Sequence, residues 1–203
     1  MKLHECVQSP KKIDSEDVLW KPPLLEWTGD RHLVPHSRHE LLRFHPEITL
    51  LAPQIPPNTG TIARLCAAFS CRLNLVEPLG FTITEKALNR AGLDYWSFVD
   101  VTLFSTWEEL LQNRPDRRFI FVETGSQSLV HQFHFSPGDI LVFGSETVGI
   151  SESVMASMLL PGGRHAHVSL PMYNTGVRSI NLSNVVSMVA HSAVTYLHDN
   201  VNF

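Results

Sequence analysis

A chain of 203 residues with 43% hydrophobic content can bury one sizeable core. Its formal net charge of -4 excludes the strongly basic signature of a sequence-blind nucleic-acid binder but leaves room for local basic patches. Three cysteines, Cys6, Cys66 and Cys71, form neither a C-x-x-C pair nor a disulfide framework, which fits a reducing compartment. No stretch reaches the roughly 18 apolar residues of a membrane span, and the N-terminus lacks a signal-peptide core. The acidic content of the first residues argues against an organellar transit peptide but leaves organellar targeting open, and the expectation is a soluble cytoplasmic protein with no membrane partner.

Residues 1–46 read as an N-terminal extension. They hold Pro10, Pro22, Pro23 and Pro35, many charges and little sustained periodicity. Trp20 and Trp27 in W-K-P-P-L-L-E-W suggest that part of this stretch docks on a core or a second subunit. The run H-S-R-H-E-L-L-R-F is patterned as a short helix, whose Arg38 and Arg43 are either solvated charge or RNA contacts.

From Glu47 to Phe203 short apolar runs alternate with helical segments. Ile48 to Ala52 reads as a buried strand, Asn58 to Phe69 as a helix and Leu73 to Val76 as a second strand, together a βαβ unit. Thr84 to Arg90 suggests a short helix and Phe98 to Phe104 a strand. Ser105-Thr-Trp-Glu108 reads as a capping box opening a helix through Gln112. Arg118 to Val122 and Asp139 to Phe143 are strands, with a loose segment from His131 to Pro137 between them. Ser151 to Leu159 is patterned as a helix and His167 to Leu170 as a strand. A long final helix repeats apolar residues at Leu182, Val185, Val186, Val189, Ala193 and Leu197, with Ser179 or Asn181 as its N-cap. The alternation predicts an α/β fold, a mostly parallel sheet with helices on both faces.

Three loops carry candidate chemistry, because ligands in open parallel sheets collect outside the carboxyl ends of strands. In the first, Pro53 to Arg64, Asn58 can cap the helix and Arg64 offers a rigid fork of donors to a phosphate or to a carboxylate on the surface. In the second, Leu141 to Ile150, Gly144, Glu146 and Gly149 follow a strand without matching either Gly-rich phosphate fingerprint. The glycines suggest close backbone approach to a ligand, or simply a strand-to-helix turn. In the third, Arg178, Ser179, Asn181, Ser183 and Asn184 cluster at a helix start. The pairs His131/His134 and His165/His167 lack the further ligands of a metal site, and no G-x-S-x-G elbow is present.

Taken together, the loops resemble the SPOUT-class (SpoU-type) RNA ribose 2'-O-methyltransferases, and in particular the small members that modify the wobble cytidine or uridine of tRNA. The resemblance runs from about Glu47 to Leu197. It rests on I-P-P-N-T-G-T-I-A-R-L-C from Ile55, E-P-L-G-F from Glu77, A-G-L-D-Y from Ala91, F-G-S-E-T-V-G from Phe143, and S-L-P-M from Ser169 leading to R-S-I-N-L-S-N. It implies a C-terminal trefoil knot, S-adenosylmethionine as the cofactor, no metal, a tRNA substrate and a homodimer packed through the C-terminal helix and the knot. Small residues Ser183, Ser187, Ala190 and Ala193 on that helix would allow close approach.

By motif position the resemblance implies a cofactor pocket framed by Val122, Thr124, Gly144, Glu146, Leu170, Met172, Ser179 and Ile180. Arg64 is the implied catalytic arginine, with Asn58 and Glu146 beside it, and Arg64, Arg178, Ser179 and Asn181 would face the RNA. The chain departs from the family pattern at Ser145 and at Val148, where a basic residue is usual, at His191, where Tyr is common, and in a Thr175 to Ser179 loop one residue longer. These departures bear on substrate choice, and the extension 1–46 is the expected source of the missing RNA contacts. Two alternatives remain open: a 2'-O-methyltransferase of ribosomal or another RNA, and a catalytically idle knotted RNA-binding module.

Overall fold

The computed structural model describes residues 11–12, 38–82, 98–158 and 164–201. Trp20, Trp27, Cys6, the helix expected over Thr84 to Arg90 and the motif from Ala91 to Tyr95 lie outside the described residues. The elements run β1 (Lys11–Lys12), α1 (Arg38–Phe44), β2 (Glu47–Leu51), α2 (Pro56–Phe69), β3 (Arg72–Val76), β4 (Asp100–Phe104) and α3 (Trp107–Asn113). They continue with β5 (Phe119–Val122), a 3-10 turn (Val130–Gln132), β6 (Ile140–Phe143), α4 (Glu152–Met158), β7 (His165–Val168) and α5 (Leu182–Asn200).

The sheet order is β1-β4-β3-β2-β6-β5-β7, with β1 antiparallel to β4 and the other six strands mutually parallel. Ile48 lies beside Leu73 on one side and Leu141 on the other, so β2 is central and its five residues are all buried. Strands such as F-I-F-V and I-L-V-F are apolar throughout because helices cover both faces. On one face Ile48, Leu50, Leu73, Leu75, Leu141 and Phe143 pack with Ile62 and Cys66 of α2 and with Val186, Val189, Ala193 and Leu197 of α5. On the other, Leu51, Val76, Phe104, Phe121 and Val142 meet Trp107 and Leu110 of α3 and Val154 of α4. Among the described residues no helix is long and apolar enough to cross a membrane.

Several boundaries differ from the sequence expectation, each for a tertiary reason. β7 spans His165–Val168 rather than His167 to Leu170, because it pairs in register with β5, Phe119 with His165 through Val122 with Val168. β4 begins at Asp100, opposite Arg72 where β3 begins, and Phe98 stays outside it. The capping box is displaced by one residue: Thr106 is the N-cap, its Oγ1 accepts from Glu109 N–H at 3.1 Å, and Glu109 Oε2 accepts from Ser105 N–H at 2.7 Å. Ala190 and Ala193 of α5 are fully buried in this chain's own core, where α5 packs on α2. They serve that helix pair and are closed to a second subunit. The exposed positions of α5 are Asn184, Met188, His191 and Thr195, followed by His198, Asp199 and Asn200 in its last turn.

Candidate active site

At the carboxyl ends of β2, β5, β6 and β7 the loops enclose a cavity of about 490 Å³. Its wall includes Val122, Thr124, Gly144, Glu146, Leu170, Met172, Ser179 and Ile180, so all eight residues of the expected pocket share one cavity although 58 positions separate Val122 from Ile180 (180 − 122). Asn58 and Asn181 also line it. Arg64 and Arg178 do not: Arg64 is exposed on α2, roughly two turns from the helix start, and Arg178 is exposed on the loop before α5.

Glu146 organises the wall. It sits in a tight turn closed by reciprocal hydrogen bonds between Ser145 and Gly149, at 3.0 and 2.9 Å. A Cβ at Gly144 would overlap the Gly149 carbonyl carbon, so this glycine admits the chain's own returning backbone and not a ligand, as the sequence had suggested. Gly149 adopts φ 76°, a left-handed conformation that favours glycine. From this turn the Glu146 carboxylate reaches the start of α2. It accepts from Gln54 N–H at 2.8 Å, Ile55 N–H at 3.3 Å and Asn58 Nδ2 at 2.9 Å.

The N-terminus of α2 is therefore capped from another loop. Asn58 is not the cap; it is a buried residue of the first turn, after Pro56 and Pro57, which occupy positions that need no donor. A carboxylate also suits the positive end of the helix dipole. Burial by itself would raise the Glu146 carboxyl, but the hydrogen bonds from Asn58, Gln54 and Ile55 outweigh it and hold the group below the ordinary carboxylate value.

The third loop joins the same network. Asn181 caps α5, its Oδ1 accepting from Ser183 N–H at 2.9 Å, and its Nδ2 donates to Asn58 Oδ1 at 3.1 Å. A relay from Asn181 through Asn58 to Glu146 thus ties the three candidate loops together. Ser179 takes no part in the cap and lines the cavity instead.

The rest of the wall is apolar side chain and unpaired backbone. Phe143, Ile150, Leu182 and Val185 complete it, and Thr124, Gly144, Leu170, Met172 and Ile180 make no backbone hydrogen bond within the described chain. Such groups need water or a ligand as partner. Sequence reasoning missed Glu123, which lines the cavity and whose Oε1 lies 2.6 Å from His167 Nδ1. Its place at a strand end was the available signal; its partner, 44 residues on, was not visible locally. His165 and His167 meet edge to face, with ring centroids 5.6 Å apart, and among the described residues no three side chains gather as a metal site.

A parallel sheet with a cavity at its carboxyl edge, built by these three motifs, defines the class. The chain belongs to the SpoU rRNA Methylase family, whose model matches residues 46–191. Within that family it is 42% identical over 148 residues to the tRNA (cytidine(34)-2'-O)-methyltransferase of Polaromonas sp., covering 72% of this chain and 87% of that one. It is 41% identical over 149 residues to the enzyme of the same name from Burkholderia ambifaria, covering 72% and 92%. A solved structure described as "Structural insights into the 2-OH methylation of C/U34 on tRNA" matches with a TM-score of 0.69 at 33% identity, covering 78% of this chain and 99% of that one. The SpoU methyltransferase AviRb of Streptomyces viridochromogenes, solved with AdoMet, shares the fold at a TM-score of 0.63 and 19% identity, covering 75% of this chain and 57% of that one. The family resemblance drawn from the motifs is borne out.

Proposed function

We propose that this chain is a tRNA ribose 2'-O-methyltransferase that uses S-adenosylmethionine and acts on the wobble cytidine or uridine. The observation that carries the reading is the convergence of three separate loops on one cavity, tied by the Asn181–Asn58–Glu146 relay. The relatives named for methylation at nucleotide 34 supply the substrate class.

The residues present fit the cofactor. A cavity of about 490 Å³ with Leu170, Met172, Ile180 and Val185 on its wall suits a purine nucleoside with a short side chain, and the unpaired backbone groups can read the purine edge. Val122, Thr124, Gly144, Leu170, Met172, Ser179 and Ile180 would frame it. When bound, S-adenosylmethionine supplies an electrophilic methyl group for in-line transfer.

The chain's own part is orientation and charge. Asn58 and Glu146 spend their hydrogen-bonding capacity on each other and on the start of α2, so they act as positioning residues that hold the wall in shape. Arg64 is the catalytic residue of this reading. A guanidinium offers donors and no acceptor, so Arg64 holds an RNA phosphate and stabilises the developing 2'-oxyanion rather than removing a proton. Arg178 and Asn181 flank the ribose from the loop before α5. A homodimer packed through α5, with the C-terminal segment knotted, completes the proposal. Because α2 packs on α5, such a dimer would bring Arg64 close to the subunit seam.

The test is transfer of labelled methyl from the cofactor into total tRNA, with the modified nucleotide mapped by mass spectrometry of digested RNA. Label at the 2'-oxygen of the wobble nucleotide is the expected result. Label in ribosomal RNA alone would move the assignment to another RNA, and no label in any RNA would leave a binding module.

A further inference from the structure

The mouth of the cavity carries an apolar lip to which no role has been given above. Val148, 76% exposed, and Ile55, 42% exposed, both line it. Both are held firmly. Val148 N–H donates to Ser145 Oγ at 3.2 Å inside the bridged turn, and Ile55 N–H donates to Glu146 of that same turn at 3.3 Å. One clamp thus fixes both backbones in a single rim. One residue beyond Met172, which lines the cavity, stands Tyr173, 93% exposed, and further along the same segment Val177 is half exposed. Among the described residues, four of the six exposed large apolar side chains thus lie on the three loops that border this cavity, and such a gathering marks a contact site.

Charge decides which part of an RNA can sit there. The ionisable side chains among the described lining residues are Glu123, which pairs with His167 behind the wall at 2.6 Å, and Glu146, and no Lys, Arg or His lines the cavity itself. Glu146 is held ionised by its donors. Such a lining offers a phosphate no cation, while an aromatic ring with aliphatic neighbours accepts the flat, neutral face of an unstacked base. Val148 extends the apolar rim.

We propose that Tyr173, with Val148 and Ile55, forms the seat for the base of the nucleotide whose ribose is methylated, so that the RNA is gripped here by its base and not by its phosphate. This rests on the methyl-transfer reading above. The site accepts pyrimidines by shape and stacking, and phosphate contacts lie farther out.

The experiment measures tRNA methylation by the full chain for wild type, Tyr173→Phe, Tyr173→Ala and Val148→Ser, together with cofactor affinity by calorimetry and subunit assembly by sedimentation. Tyr173→Ala is expected to raise KM for tRNA about 5- to 150-fold, the range of one lost base stack, with kcat changed far less. Tyr173→Phe keeps the ring and should stay within about two-fold, and Val148→Ser should fall between the two. The loss should be the same at low and high salt, because counterion release belongs to phosphate contacts. An unchanged KM in Tyr173→Ala overturns the proposal. So does a rise in KM that tracks a change in assembly, which would give the patch to a second copy of the chain. Absence of methylation by the wild type would instead sink the underlying reading, and is told apart because every variant would then be equally silent.

Discussion

The two ends of the same parallel sheet handle polar groups in opposite ways. At the amino ends of the strands charges are closed upon one another. Glu47, 1% exposed, accepts from Arg114 Nε at 3.0 Å, Arg72 Nη1 at 3.3 Å and Asn74 Nδ2 at 2.9 Å, and Arg72 also meets Asp100 at 3.3 Å. Nearby, Arg118 grips Asp139 with bonds of 2.9 and 2.6 Å, which raises the guanidinium above its ordinary value. At the carboxyl ends, among the described residues, Glu146 meets no cation; backbone amides and Asn58 hold it, and five loop residues make no backbone hydrogen bond. A buried charge must be neutralised where it stands, so the charges at the first end are paired with one another. The second end retains hydrogen-bonding capacity for something that arrives.

If the amino end is a closed structural network, breaking it should cost the most. Glu47→Ala removes the shared acceptor of two arginines and Asn74, which keep only Asp100, the Asn113 carbonyl and Thr49 Oγ1, and is expected to lower unfolding free energy by about 3–5 kcal/mol in urea titration. A loss below about 1 kcal/mol would show that the two ends are not so different. At the open end the largest effect should be on rate. Arg64→Ala is expected to cut turnover about 100- to 1,000-fold while cofactor affinity stays within a few-fold. A comparable fall in cofactor affinity would reassign Arg64 to the fold or the pocket.

Asn58→Ala sharpens the comparison from inside the relay. It removes the donor to Glu146 and the acceptor for Asn181, so a stability loss of about 1–3 kcal/mol is expected, together with weaker cofactor binding measured by calorimetry. Intact cofactor affinity in a stable variant would dissociate the relay from the cavity.

The smallest effect lies away from both ends, where His45 joins the start of the sheet to the end of α5. Its Nδ1 meets the Phe69 carbonyl and its Nε2 lies 2.8 Å from His198 Nε2. Burial pushes the imidazole below its ordinary value of 6.5, aided by His198 and opposed by the Phe69 carbonyl. The unfolded chain therefore binds the proton first as pH falls. The stability tied to neutral His45 is complete above pH 6.5 and is lost as pH drops through the depressed value. Urea titrations across this range should show a steeper acid decline for wild type than for His45→Gln, and parallel curves would remove His45 from the account.

Much of the fold was legible because its signals are local. The apolar runs at 48–51, 119–122 and 140–143 and the 3.6-residue spacing of α5 each declare their state without reference to the rest of the chain. The cap of α5 was narrowed to Ser179 or Asn181 for the same reason, and the structure takes Asn181, whose bond spans two residues. Where a boundary depended on a neighbour it slipped: β7 was displaced by two residues because its ends are set by β5, and the cap of α3 by one because both Ser105 and Thr106 are eligible.

By itself, then, the sequence determined the succession of strands and helices, the three polar loops and the motifs that place the chain in its family. Only the tertiary structure decided that Glu146 caps α2, that Asn58 links Asn181 to that cap, that Glu123 meets His167 and that Ala190 and Ala193 serve α2. The physical reason is the range of the forces involved. Periodicity and capping act within a few residues, whereas the permuted order β4-β3-β2-β6-β5-β7 brings together groups about 40 to 120 residues apart that no local pattern can pair.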